Sequence, residues 1–414
     1  KNIGNGEIGC AESRISMNDA LPYLTSDLPG IGGQLKTTPD DFCVEEIPLY
    51  EPSGEGQHLF LTVEKRGMTT LKAVRQIARA LKADPRQIGY AGLKDAQAVT
   101  RQTISVDGVS PDRAASLDLP GITIMAVQRH KNKLRLGHLA GNRFIIRVRG
   151  VEPEALPLAE TVLARLQELG APNYFGQQRF GVRRNTQVLG LALIQQRTSD
   201  FLAEFLGRPR PDEHPQAQRA RAAFESGHWQ KALDSWPRML HDERKVLQAL
   251  VKSGQKETAL RALDRRLKRL YISAYQSYLF NQLLAQRLET LRYLEAGDVA
   301  YIHRNGACFV VRSAAREQHR VDDFEISPAG PLFGPKYLAA RGKPGHRERA
   351  LLQKSGVTLA DFKMPGLKLP GSRRPYRVPL GGVDLRWDEG LVLSFTLPPG
   401  SYATTVMREV MKPD

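Results

Sequence analysis

The sequence predicts an α+β fold, a mainly antiparallel mixed sheet interrupted by a helix-rich insertion. Three observations carry that prediction. Strand-like alternation and one helical segment share the first third of the chain, helical periodicity dominates from Glu152 to about Arg349, and strand signals return near the C-terminus. A sheet that resumes after a long helical run places the helices inside the sheet domain rather than after it. The divisions read as an extension over 1–16, the first part of the sheet domain over 17–167, the insertion over 168–349 and the remainder of the sheet domain over 350–414.

Taken in order, the first sixteen residues are polar and begin with Lys1, so they read as a disordered extension with Met17 as a natural start. Gly4, Gly6 and Gly9 form a G-x-G-x-x-G, but no strand precedes it and no helix follows, so a dinucleotide site is not expected. In 57–65, "QHLFLTVEK", Leu59, Leu61 and Val63 alternate as in a strand. A helix follows, capped by Thr69 or Thr70, with Leu71, Val74, Ile77, Ala78 and Leu81 at helical spacing and Pro85 beyond its end. The segment around Gly92–Asp95 then falls in a loop. Further strands are predicted over 122–128, 143–149, 383–387 and 391–397.

The insertion is expected to contain helices over 156–169, 186–196, 217–226, 238–253 and 257–287. Ile272, Tyr275, Leu279 and Leu283 form one stripe, the core face of a central helix. The stretches 207–215 and 366–379, rich in proline, glycine and arginine, read as connectors. No internal repeat or heptad run points to a solenoid or coiled coil.

The 414 residues, 41% of them hydrophobic, are enough for two or three domains with real cores. No run approaches the roughly 18 apolar residues that a membrane-crossing helix needs, and no basic-then-apolar export signal opens the chain, so a cytoplasmic location is expected. Cys10, Cys43 and Cys308 are far apart and form no C-x-x-C pair, which argues against a disulfide framework and a zinc site. The formal net charge of +16 calls for a polyanionic partner, and nucleic acid is the natural one. Clustering separates this from mere solubility: Arg129, Lys131, Lys133, Arg135, Arg143, Arg147 and Arg149 precede the next acid, Glu152.

The most informative stretch is "GYAGLKDAQAVTRQ", 89–102, in which Asp95 is the sole acid and stands beside Lys94. An adjacent ammonium favours an ionised carboxylate, as a nucleophile or base at neutral pH requires, and nearby glycines allow close approach. The bland alternative is a solvated ion pair in a turn. Its pattern, Gly-x-Lys-Asp-x-x-Ala-x-Thr-x-Gln (Gly92, Lys94, Asp95, Ala98, Thr100, Gln102), resembles the signature of the TruD family of RNA pseudouridine synthases. "PNYFGQQRFG" (172–181) and "HKNKLRLGHLAGNRF" (130–144) resemble the same family, with weaker echoes in 35–47, 272–288 and 397–411.

The resemblance implies a pseudouridine synthase catalytic domain with an inserted TRUD domain. It implies isomerisation of uridine in RNA, most often uridine 13 of tRNA, by a cytoplasmic monomer. Breaking the C1′–N1 bond, turning the base and joining C1′ to C5 gains and loses no atoms, so no cofactor and no metal are expected. Asp95 takes the catalytic role. Lys94, Asn142, Phe144, Lys36 and Phe42 support it: Phe144 packs the flipped uracil, Asn142 bonds near the aspartate or base edge, Lys36 contacts phosphate or the aspartate, and Phe42 packs. From pattern alone the better reading of Phe144 is a core position with Ile146 and Val148, which share its parity. Of the adjacent Glu45 and Glu46, at most one points into any given site.

RNA contact is expected from Arg129, Lys131, Lys133, Arg135, Arg183 and Arg184, while Tyr174, Phe175 and Phe180 suit a structural corner. Three alternatives stand beside this reading. The first is a non-catalytic RNA-binding protein on the same scaffold, and the second a synthase acting on other RNAs. The third is a hydrolase using Asp95, for which a second carboxylate is missing at a motif position. The stretch 199–256 looks expanded against compact bacterial relatives.

Overall fold

The computed structural model describes residues 21–413, so the extension 1–16, Met17, Cys10 and the glycines at 4, 6 and 9 lie outside the described residues. Two compact units result, one of Tyr23–Arg184 and Gln276–Asp414 and one built on Asn185–Tyr275. The first holds the main sheet, made from β1 (Phe42–Pro48), β2 (His58–Arg66), β3 (Gly89–Tyr90), β4 (Val99–Asp107), β5 (Ile122–His130), β6 (Leu139–Val148) and the hairpin Gly381–Trp387 and Leu391–Leu397. From one edge the order is Gly381–Trp387, Leu391–Leu397, β6, β1, β4, β2 and β5, with β3 also paired to β4. Every neighbouring pair is antiparallel except β1 with β4. The sheet is therefore mixed and mainly antiparallel, as expected.

Register sets which side chains share a face. Lys65 pairs with Thr100, Thr100 with Val44, Val44 with Phe144 and Phe144 with Phe395, a single row across five strands. Alternation puts Gln102, Glu46 and Asn142 on the same side. On that face Phe42, Val44, Phe144, Ile146, Leu393 and Phe395 pack against Val162, Leu163 and Leu166 of the helix Ala155–Leu169 and Val406, Met407 and Val410 of the helix Ala403–Met411. A second core sets Leu59, Leu61 and Val63 of β2 against α1 (Thr70–Leu81).

Helix α1 starts where Thr69 predicts, its hydroxyl accepting from Lys72 N at 3.2 Å. Its buried stripe differs from the sequence reading. Thr70, Ala73, Val74, Ile77, Ala78 and Leu81 are buried, while Leu71 is 41% exposed.

The helix expected over 257–287 is two: Lys256–Arg261 ends with Ala262 as its C-cap, and the Asp264 carboxylate caps the second, Arg265–Arg287, accepting from Arg266 N at 2.6 Å. The helical region also contains strands that the pattern hid, and one of their partners lies in 366–379, the stretch read as a connector. Val299–Ile302, Cys308–Val310, Ile326–Leu332 and Ser372–Pro375 form a four-stranded sheet. Two of these strands, "ISPAGPL" and "SRRP", carry prolines or no apolar alternation, which conceals them. No helix of the described residues is long and apolar enough to cross a membrane.

Candidate active site

Asp95 lies in the loop between β3 and β4, and two motif residues, Lys94 and Gln102, help to hold that loop. The Lys94 amide donates to Thr70 Oγ1 at 2.9 Å, and that hydroxyl donates to Gln102 Oε1 at 2.9 Å. The start of α1 and the middle of β4 thus fix the loop through one buried relay. Lys65, at 1% exposure, donates from Nζ to Asp95 O at 2.9 Å and Met68 O at 2.6 Å. Thr100 and Ala98 are fully buried beneath. At Gly89 a Cβ would sit 2.2 Å from Leu134 O, so only glycine admits the 131–137 turn against β3.

The ammonium facing the Asp95 carboxylate belongs to Lys36, not to Lys94. Lys36 Nζ ion-pairs with Asp95 Oδ2 and lies 4.4 Å from the centre of the Phe42 ring. Gln178 Nε2 also donates to Oδ2, at 3.3 Å, and Gln97 N donates to Oδ1 at 3.0 Å. Burial pushes the carboxyl upward, but the Lys36 bond, the Gln97 amide, the Lys36 charge and Gln178 together hold it below the usual carboxylate range. The result is a half-enclosed, ionised carboxylate. Lys36 itself adopts a left-handed backbone, φ 58°, an uncommon conformation for a side-chain-bearing residue. It is pinned between the Gln34–Arg149 bridge and the Thr38–Asp41 turn.

Lys94 faces the other way. Its Nζ lies 2.7 Å from Glu46 Oε2 and donates to Asn142 Oδ1 at 2.8 Å, with the Lys94 and Glu46 side chains only 4% and 3% exposed. Glu46 also accepts from Thr103 N at 3.1 Å, whereas Glu45 points outward to Arg101 at 2.7 Å. Phe144 is 7% exposed and sits between Phe42, edge-on at 6.3 Å, and Phe395 at 5.7 Å. Phe42 and Phe144 form an apolar floor beside the Lys36–Asp95 pair.

Residues 20–410 match the family model described as tRNA pseudouridine synthase D (TruD). This chain belongs to the TruD family. It is 49% identical to the tRNA pseudouridine synthase D of Syntrophotalea carbinolica over 394 residues, 95% of this chain and 99% of that one. Identity to the Geobacter metallireducens protein of the same name is also 49%, over 399 residues, 96% of this chain and 99% of that one. A solved structure of TruD from Methanosarcina mazei superposes with a TM-score of 0.82 at 30% identity, covering 95% of this chain and 96% of that one. With 99% of these two relatives covered by 95% or more of this chain, an expansion the size of 199–256 does not set this chain apart from them.

The TruD signature is a structural device: Thr100 and Gln102 help build the face on which Lys94 and Asp95 rest. Sequence reasoning missed Lys65, Gln178 and the part Thr70 plays in the loop, and it left open which of Glu45 and Glu46 faces inward; Glu46 does. Lys65 had a legible signal, a lysine on the parity of Leu59, Leu61 and Val63.

The basic residues are less concentrated than their spacing suggests. Arg143, Arg147 and Arg149 face Glu45, Asp388 and Asp41 at 3.9, 2.7 and 2.8 Å. Lys131 pairs with exposed Glu55 at 2.6 Å, while Arg129 and Lys133 donate to the carbonyls of Gly56 and Arg86, and Arg135 is exposed. Arg129 pairs with Leu59 and Ile122 with Lys65, so Arg129 sits at the far end of β2 from the carboxylate, roughly 20 Å along the strand. The turn after it is tied to the start of the loop that follows β3, where Gly137 N donates to Ala91 O at 2.8 Å. Tyr174 and Phe175 are buried at 2% and 8%, a structural corner, and Arg184 beyond them is exposed.

Proposed function

We propose that this chain isomerises uridine to pseudouridine in tRNA, at uridine 13, with Asp95 as the catalytic carboxylate at a flipped-out nucleoside. The observation that carries the proposal is the Asp95 carboxylate, kept ionised by Lys36 in a half-enclosed site of a TruD-family chain. Isomerisation needs an anionic group at the ribose, as nucleophile or as base, and both roles require the ionised form. Lys36 holds that form, and its cation–π contact with Phe42 fixes where the pair stands. Phe42 and Phe144 offer the extruded base an apolar floor. Lys94, Glu46 and Asn142 support the loop from beneath.

A tRNA substrate is supported by the family's designation and by the net charge of +16. The turn carrying Lys131, Lys133 and Arg135, together with Arg129, Arg183 and Arg184, supplies phosphate contacts in this reading. The insertion, taken as 168–349, selects the RNA, and the enzyme works as a cytoplasmic monomer without cofactor or metal. A hydrolase would need a second carboxylate free to act as acid or base. Glu46 is the nearby candidate, and it is already tied to Lys94 and to Thr103 N.

The test is to incubate the purified protein with unmodified tRNA transcripts and map pseudouridine at single-nucleotide resolution. One product site at position 13 is expected. Conversion confined to other positions or other RNAs would overturn the choice of substrate, and no conversion would overturn the reaction.

A further inference from the structure

Gln178 reaches the Asp95 carboxylate from outside the signature and its supporting strands. It lies in the short turn Gln177–Phe180 and its side chain is exposed, yet Nε2 donates to Asp95 Oδ2 at 3.3 Å. The turn is firmly seated. Asn281 takes both backbone groups of Phe175, accepting from N at 2.9 Å and donating to O at 3.0 Å. Arg374 stacks on the Phe175 ring at 4.2 Å, and Arg179 Nε donates to Ser277 Oγ at 3.1 Å.

An amide can ordinarily turn over to suit its partner, and which end is oxygen follows from the bonding network. Here the network leaves one choice. An ionised carboxylate only accepts, so Gln178 must present its NH2 group to Asp95, and turning over would set Oε1 against Oδ2, two acceptors facing each other. Oε1 is therefore fixed as an acceptor beside the reacting group. Uracil carries a donor at N3–H, whereas cytosine carries a lone pair at N3.

We propose that Gln178 reads the base edge, accepting the uracil N3–H through an Oε1 whose direction is set by the Asp95 carboxylate. The inference rests on the uridine-isomerising reading of the same site. It makes one aspartate serve twice, as the reacting group and as the group that orients the selector. Cytosine at the same position would meet an acceptor with an acceptor and leave both unpaired, which disfavours it by about tenfold or more.

The experiment uses two transcripts differing only in uridine or cytidine at the modified position. The wild type and Gln178→Ala are compared for kcat/KM on the uridine transcript and for competitive inhibition by the cytidine transcript. Because Gln178 is exposed, the variant is expected to fold, and a transcript abasic at the target position reports RNA affinity independent of the base. The wild type should favour uridine over cytidine by about tenfold or more. Gln178→Ala should bring that preference close to unity, lower kcat/KM on uridine by about tenfold, and leave affinity for the abasic transcript unchanged. An active wild type whose preference survives in Gln178→Ala would overturn the inference, even if kcat fell, because a residue that only steadies Asp95 would give that result. A wild type that forms no pseudouridine would instead overturn the reading of the reaction.

Discussion

Asp95 is kept ionised by a lysine 59 residues away in sequence, while its chain neighbour Lys94 turns to Glu46. Removing the Lys36 ammonium leaves the burial that raises the carboxyl pKa and deletes the largest influence that lowers it. Activity needs the ionised form, so the rate falls as pH drops through the Asp95 pKa. That acid limb lies below the ordinary 3.8 in the wild type and should move upward in Lys36→Met. A pH profile of single-turnover rate checks this, and an unmoved acid limb would remove Lys36 from the role.

Lys65 links pH to stability. Burial lowers its ammonium from 10.5 to about 8. Between those values the unfolded chain binds more protons than the folded one, so this residue makes stability rise with pH from about 8 to 10.5, while below about 8 its cost is fully present and constant. Denaturant titrations of wild type and Lys65→Met should diverge only in that window. Parallel pH dependence across it would contradict a charged, buried Lys65.

Among the elements, the decisive one is the loop between β3 and β4, held to α1 and β4 by the Lys94–Thr70–Gln102 relay. Thr70→Val keeps the shape, deletes the hydroxyl and leaves the Lys94 amide and Gln102 Oε1 without that partner. The expected cost is about 1–3 kcal/mol of stability, together with a fall in kcat larger than any change in RNA affinity. Urea unfolding and single-turnover kinetics measure the two effects, and an unchanged kcat would mean that the relay does not position Asp95.

Much of this element was legible in the sequence. The strand alternation of Leu59, Leu61 and Val63, the Thr69 cap and the loop position of Asp95 follow from local rules that the packing leaves intact. What was not legible depends on register. Nothing local says that Lys36 reaches Asp95 or that Gln178 joins it. Phe144 was read both as a core residue and as the packing partner of the base, and only register shows that Val44 and Phe395 flank it on both neighbouring strands. The four-stranded sheet escaped notice because Pro328, Pro331 and Pro375 interrupt its strands.

For the whole molecule, a net charge of +16 implies that much of the RNA affinity comes from counterion release. Reversing Arg183 and Arg184 to glutamate should weaken tRNA binding and flatten its dependence on salt, by about one unit of log–log slope for each phosphate that is no longer neutralised. Binding isotherms between low and moderate salt measure that slope. An unchanged slope would place the RNA elsewhere on the surface.

The central claim is that one carboxylate carries the chemistry and that binding does not depend on it. The most direct measurement compares wild type with Asp95→Asn on the same tRNA transcript, recording pseudouridine at position 13 and RNA affinity side by side. The account predicts conversion by the wild type, none by the variant, and affinities that agree within a few-fold, since the substitution keeps shape and removes one charge of many. Undiminished conversion by Asp95→Asn would contradict it.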